Sequence, residues 1–159
     1  MRINLTQKER TLLEDQKSHE QICIDKYNRF ANEAQDPQLA QLFRTYAAQE
    51  QQHLDTINQM LVGNVPNMQQ GQQNLQAPQT QQVGQNPQGQ NFQTSMQDKS
   101  LCADLLMAEK FISGAYNTAI FEFTDTNARQ ALNHIQKEEQ KHGEGLYNYM
   151  QNHGMYNPK

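Results

Sequence analysis

The chain is poor in several things that common function classes need. Its 13 lysines and arginines are scattered through 159 residues, and the formal net charge is −4. A nucleic-acid partner calls for a clustered basic face, so none is expected. No apolar run approaches the roughly 20 residues of a membrane span, and no span is expected either. Met1-Arg2-Ile3-Asn4-Leu5-Thr6-Gln7-Lys8 turns polar at once and offers no signal-peptide core. Synthesis and first folding are therefore expected in the cytosol. Cysteine is scarce, with only Cys23 and Cys102. Two cysteines fit no disulfide framework and no metal motif, so reduced thiols in or near the core are the expectation. Covalent cross-linking within an assembly is the alternative.

Charge is missing altogether from one stretch. Between Thr56 and Gln97 no residue is charged, and Gln, Asn, Gly and Pro dominate, as in Gln69-Gln70-Gly71-Gln72-Gln73. A hydrophobic content of 35% looks too low for a compact domain of this length. The deficit is confined to this stretch, and the blocks on either side are ordinary amphipathic sequence. Residues 63–97 read as a low-complexity linker that cannot offset its ordering entropy by burial. A passive tether is the simplest role, with cross-linking or interaction in an assembly as the alternative. Leu75 and Phe92 are candidate local anchors.

What is there is a repeat. Glu50-Gln51-Gln52-His53 recurs as Glu139-Gln140-Lys141-His142, an offset of 89 residues. Without any gap, the same offset carries Glu20 onto Glu109, Tyr27-Asn28 onto Tyr116-Asn117, Asp36 onto Asp125 and Gln41 onto Gln130. Leu12, Asp15 and Glu33 fall on Leu101, Asp104 and Glu122. The cysteines do not obey it, since Cys23 maps to Ile112.

Each copy reads as a helical hairpin. In the first, Leu13, Glu20, Tyr27 and Ala34 recur every seven residues, with Ile24 and Ala31 between them, as one helical stripe. Asp36-Pro37 stops it and starts a second helix, an N-cap followed by proline at the first helical position. That helix carries Leu39, Leu42, Tyr46, Glu50, His53, Ile57 and Leu61 on one face, and Gly63-Asn64-Val65-Pro66 ends it. In the second copy, Asp98 is the expected N-cap of a helix with Cys102, Leu105, Glu109, Ile112, Tyr116, Ile120 and Phe123. Asp125 caps the last helix, with Ala128, Leu132, Ile135, Glu139, His142, Leu146 and Met150, ended by Asn152-His153-Gly154. The expected fold is all-α, one domain over 1–159. It is a four-helix bundle of two antiparallel hairpins, 5–62 and 98–153, joined by a long Gln-rich crossover linker. A helix of about 25 residues is about 38 Å long, which the linker can span with slack. The second hairpin is expected to start at the same end as the first.

Each of the four helices places one glutamate inside its apolar stripe, and two add a histidine one turn on. Buried carboxylates cost several kcal/mol unless neutralised, paired or bound to metal, and four at one level repel one another. Two divalent cations would resolve the conflict. Glu20, Glu50, His53, Glu109, Glu139 and His142 are therefore the candidate ligands of a dinuclear iron or manganese site. Glu50 and Glu139 would bridge, with Glu20 and Glu109 terminal and one histidine per metal. The set resembles that of the ferritin-like di-iron and di-manganese carboxylate proteins. The bland reading puts Glu50 and Glu139 on a solvated edge with the histidines as core hydrogen-bonders. Tyr27 and Tyr116 are placed to bond a ligand carboxylate, act as redox-active neighbours or simply pack. His19, His134 and His153 have no counterparts and are expected to be incidental. No side chain is assigned as a catalytic nucleophile.

Asp104-Leu105-Leu106-Met107-Ala108-Glu109-Lys110, Tyr116-Asn117, Glu138-Glu139-Gln140-Lys141-His142, Leu146-Tyr147-Asn148-Tyr149-Met150 and Gly154-Met155-Tyr156 together resemble the spore-coat protein F family, a branch of the ferritin-like superfamily. The likeness is close over about 98–158 and weaker but collinear over 5–61. Met155 stands where the family often carries tryptophan. The resemblance implies a structural or assembly component of the bacterial spore coat, made in the mother cell and deposited in the coat. Its partners would be other coat proteins or copies of itself. Retention of all six ligands keeps an enzyme as the alternative: a di-iron or di-manganese oxidase or peroxidase, ferroxidase- or catalase-like. No rubredoxin-type cysteine pair is present to donate electrons.

Overall fold

Thr6, Asp36, Ser95 and Asp125 have side chains that accept a backbone N–H of the turn that follows, and a helix starts after each. The computed structural model describes residues 2–67 and 95–158. Within them run α1 (Gln7–Glu33), α2 (Pro37–Leu61), α3 (Met96–Glu122) and α4 (Thr126–Asn152). Thr6 and Glu9 complete a reciprocal capping box. The N-cap of α3 is Ser95 and not Asp98, which sits in the first turn and has a different task. Most of the linker, with Leu75 and Phe92, lies outside the described residues, and its last two positions, Met96 and Gln97, already belong to α3.

α1 packs on α2 and α3 on α4, and the two pairs close into a four-helix bundle through α1 with α3 and α2 with α4. The core is built from the apolar stripes of all four helices, including Leu13, Tyr27, Leu39, Ile57, Leu105, Tyr116, Leu132, Ile135 and Leu146. Phe30 and Phe43 are also buried, Cys23 takes the inward place beside the half-buried Ile24, and Phe43 goes deeper than Leu42. Cys23 and Cys102 are both free, buried thiols.

The second hairpin runs opposite to the expected direction. Lys8 near the start of α1 pairs with Glu122 at the end of α3, and Gln35 after α1 meets Asp98 at the start of α3. α3 is therefore antiparallel to α1 and begins at the far end of the bundle. The sequence offset is a twofold rotation across the bundle, not a translation along it.

That rotation is visible in the polar clasps at both ends. The Asp98 carboxylate accepts the backbone N–H of Gln35 at 2.8 Å and of Asp36 at 3.0 Å. At the other end Glu9 accepts the backbone N–H and the hydroxyl of Thr124 at 3.0 and 3.2 Å. Asp98 and Glu9 are related by the 89-residue offset, as are Gln35 and Thr124. Each acid closes the interhelix turn of the other hairpin. Asp36 in turn accepts from the Tyr149 hydroxyl at 2.5 Å, and the His153 ring stacks on Tyr149, so His153 is part of this end. Asp98→Ala strands two backbone donors and is expected to cost about 1–3 kcal/mol in urea unfolding. A variant indistinguishable from the parent would show that the clasp is not a structural tie.

Candidate metal centre

The rotation axis passes near Glu50 and Glu139, and the six polar core residues gather there. Their exposures run from 0% at Glu20 and Glu50 to 5% at His53. Every one of the six sequence-predicted residues is in the cluster. The solvated-edge alternative for Glu50 and Glu139 does not hold, since both are buried.

Two overlapping quartets emerge: Glu20, Glu50, His53 and Glu139, and Glu50, Glu109, Glu139 and His142. In each, one donor atom per residue lies within 4.8 Å of all the others. Glu50 and Glu139 belong to both. His53 Nδ1 is 3.0 Å from Glu50 Oε2 and 3.0 Å from Glu139 Oε1, with Glu20 Oε2 at 3.7 Å. His142 Nδ1 is 3.1 Å from Glu50 Oε1, 3.4 Å from Glu139 Oε2 and 3.5 Å from Glu109 Oε1. The two imidazoles lie nearly parallel, with centroids 5.7 Å apart.

Tyr27 and Tyr116 do bond carboxylates, but across the bundle. The Tyr27 hydroxyl donates to Glu109 and the Tyr116 hydroxyl to Glu20. On its own helix each tyrosine is seven residues from a glutamate, a rise of about 10 Å, so only an antiparallel neighbour brings the groups together. Each hydroxyl fixes one oxygen of a terminal carboxylate. The other oxygens, Glu20 Oε2 and Glu109 Oε2, are buried without a hydrogen-bond partner, as is Glu139 Oε2.

Burial and mutual charge divide the titrating groups. Burial raises Glu20 and Glu109 well above the ordinary carboxylate range, and the charges of Glu139 and Glu50 add to it. Burial also opposes ionisation of Glu50 and Glu139, but hydrogen bonds with His142 and His53 override it and hold both below that range. Both imidazoles resist deprotonation because three carboxylates each outweigh their desolvation. Burial pushes the Cys23 thiol up, the charges of the same four glutamates add to it, and the residue is in neither quartet.

Sequence reasoning missed Gln49, whose Oε1 lies 2.7 Å from His142 Nε2, and Tyr46, whose ring centroid is 4.4 Å from that of His142. The absence of a side chain at Gly145 makes room for Tyr46, since a Cβ there would meet its hydroxyl at 1.7 Å. No helix among the described residues is long and apolar enough to cross a membrane. No curated protein matches the chain. Residues 97–159, which take in nearly all of α3, the whole of α4 and the segment behind them, match the family model for the Coat F domain.

Proposed function

We propose that the protein is a component of the bacterial spore coat, built as a single ferritin-like domain over 1–159 that holds two divalent metal ions. The coat assignment rests on the Coat F match of the second hairpin. The metal assignment rests above all on the buried carboxylate oxygens of Glu20, Glu109 and Glu139 that lack a hydrogen bond and border the shared cluster. An oxygen anion in such a position is costly unless a cation completes it.

Glu50 and Glu139 would bridge, Glu20 with His53 would complete one position, and Glu109 with His142 the other. Imidazole with carboxylate suits iron or manganese. Bound iron or manganese would supply redox chemistry toward oxygen or peroxide. The chain itself holds the carboxylates in place through Tyr27 and Tyr116, keeps water out by burial and presents Nδ1 of each histidine. The oxidase or peroxidase reading stands on these six residues alone, whereas the coat reading also has the family match. Other coat proteins or further copies of this chain are the proposed partners, with synthesis in the mother cell before deposition.

Elemental mass spectrometry of chelator-stripped protein reloaded anaerobically with Fe(II) or Mn(II) tests the site. About two ions per chain are expected, and His53→Ala/His142→Ala should retain none. Failure of the parent protein to take up either metal would sink the dinuclear reading.

A further inference from the structure

The two halves of the cluster are related by rotation, but their outer supports differ. On one side, Gln49 Oε1 accepts from His142 Nε2–H at 2.7 Å, and the Tyr46 ring lies against the imidazole. An amide oxygen only accepts, so in this contact Nε2 carries the proton, and Nδ1 is the nitrogen turned to the carboxylates. On the other side, the 89-residue offset replaces Gln49 by Glu138, Tyr46 by Ile135 and Gln52 by Lys141. Glu138 feels the charge of His53 but makes no hydrogen bond to it, and its carboxylate is paired with the Lys141 ammonium at 2.8 Å. Gln52 is neutral, so nothing of that kind draws Gln49 from His142.

We infer that the two metal positions are inequivalent: Gln49 and Tyr46 preorganise His142 and make its position the tighter, while Lys141 diverts Glu138 from His53 and keeps that position the weaker. The inference rests on the dinuclear reading above. Gln49 and Tyr46 are positioning residues, acting through the imidazole and touching no metal. Partners of this kind typically change metal affinity by about 10–100-fold.

The test is a titration of the full, metal-free chain with Co(II), followed by calorimetry and by visible absorption. Two binding steps are expected. Gln49→Leu should weaken the tighter step by about 10–100-fold and leave the weaker one in place. Lys141→Gln, at a side chain that is 58% exposed, should release Glu138 and strengthen the weaker step while leaving the tighter one. A gain of affinity at one step cannot come from misfolding, so this second variant stands even if the first is poorly folded. Lys141→Gln that leaves both steps unchanged, or substitutions that move both steps together, would overturn the inference with the dinuclear site intact. No Co(II) uptake by the parent chain would instead remove the reading on which it rests.

Discussion

Glu50→Ala in the metal-free protein should cost about 3–5 kcal/mol, the usual penalty for removing one partner from a buried charged set. Glu50 is 0% exposed and sits within 3.1 Å of both imidazoles. Its loss leaves His53 with Glu139, and His142 with longer contacts, in a core that water does not reach. A drop of this size should lower the melting temperature by very roughly 10 °C, at about 2–4 °C per kcal/mol for a chain of this length. The opposite result is expected when Glu20, Glu50, His53, Glu109, Glu139 and His142 are all replaced by leucine or methionine. Buried ionic sets are often matched or exceeded by apolar residues of similar volume, by about 1–4 kcal/mol. The sixfold variant should then unfold at equal or higher denaturant than the metal-free parent and bind no metal. Urea unfolding in the presence of chelator measures both. The pairing of outcomes matters: a cluster that costs stability as a whole and cannot lose a member has a use other than holding the bundle together. Near-neutral Glu50→Ala with a weakened sixfold variant would mean that the polar core is a structural network.

The two hairpins and all six cluster residues were legible because their chemistry tolerates few substitutes. Glutamate and histidine inside an apolar stripe are conspicuous, and two in-register copies are more so. The direction of the second hairpin was not legible, because an 89-residue offset is equally compatible with a translation and with a rotation. The tyrosines held the missing information. Tyr27 is about two turns from Glu20 on its own helix and cannot bond it, so a carboxylate role for both tyrosines already requires antiparallel α1 and α3. Asp98 was read as a cap because it precedes an apolar stripe, yet its match to Glu9 under the offset pointed to a shared task. Both acids close the other hairpin's turn. Gln49 and Tyr46 carry no such signal. They matter because they break the repeat, and a search for identities passes over positions that differ.

Metal loading should reverse the pH dependence of stability. In the metal-free protein Glu50 and Glu139 titrate below the ordinary carboxylate value of 4.5, so their stabilisation is present above it and lost as the pH falls through their lowered values. Glu20 and Glu109 are raised from 4.5, and His53 and His142 from 6.5. The contribution of these four is complete below the ordinary values and is lost as the pH rises toward the raised ones. The metal-free bundle should therefore be most stable in weak acid and weaken toward pH 8. Divalent ions need the same four groups deprotonated. Two ions then displace the protons that these groups hold, and each proton released strengthens binding by about 1.4 kcal/mol per pH unit. At free metal a thousandfold above the dissociation constant, one site adds about 4 kcal/mol to stability. Mn(II) should thus raise the melting temperature strongly at pH 8 and hardly at pH 5. Unbuffered titration should release about two protons per ion bound. A stabilisation equal at both pH values, or uptake with no proton release, would mean that the ions bind on the surface and leave the Glu–His cluster as it is.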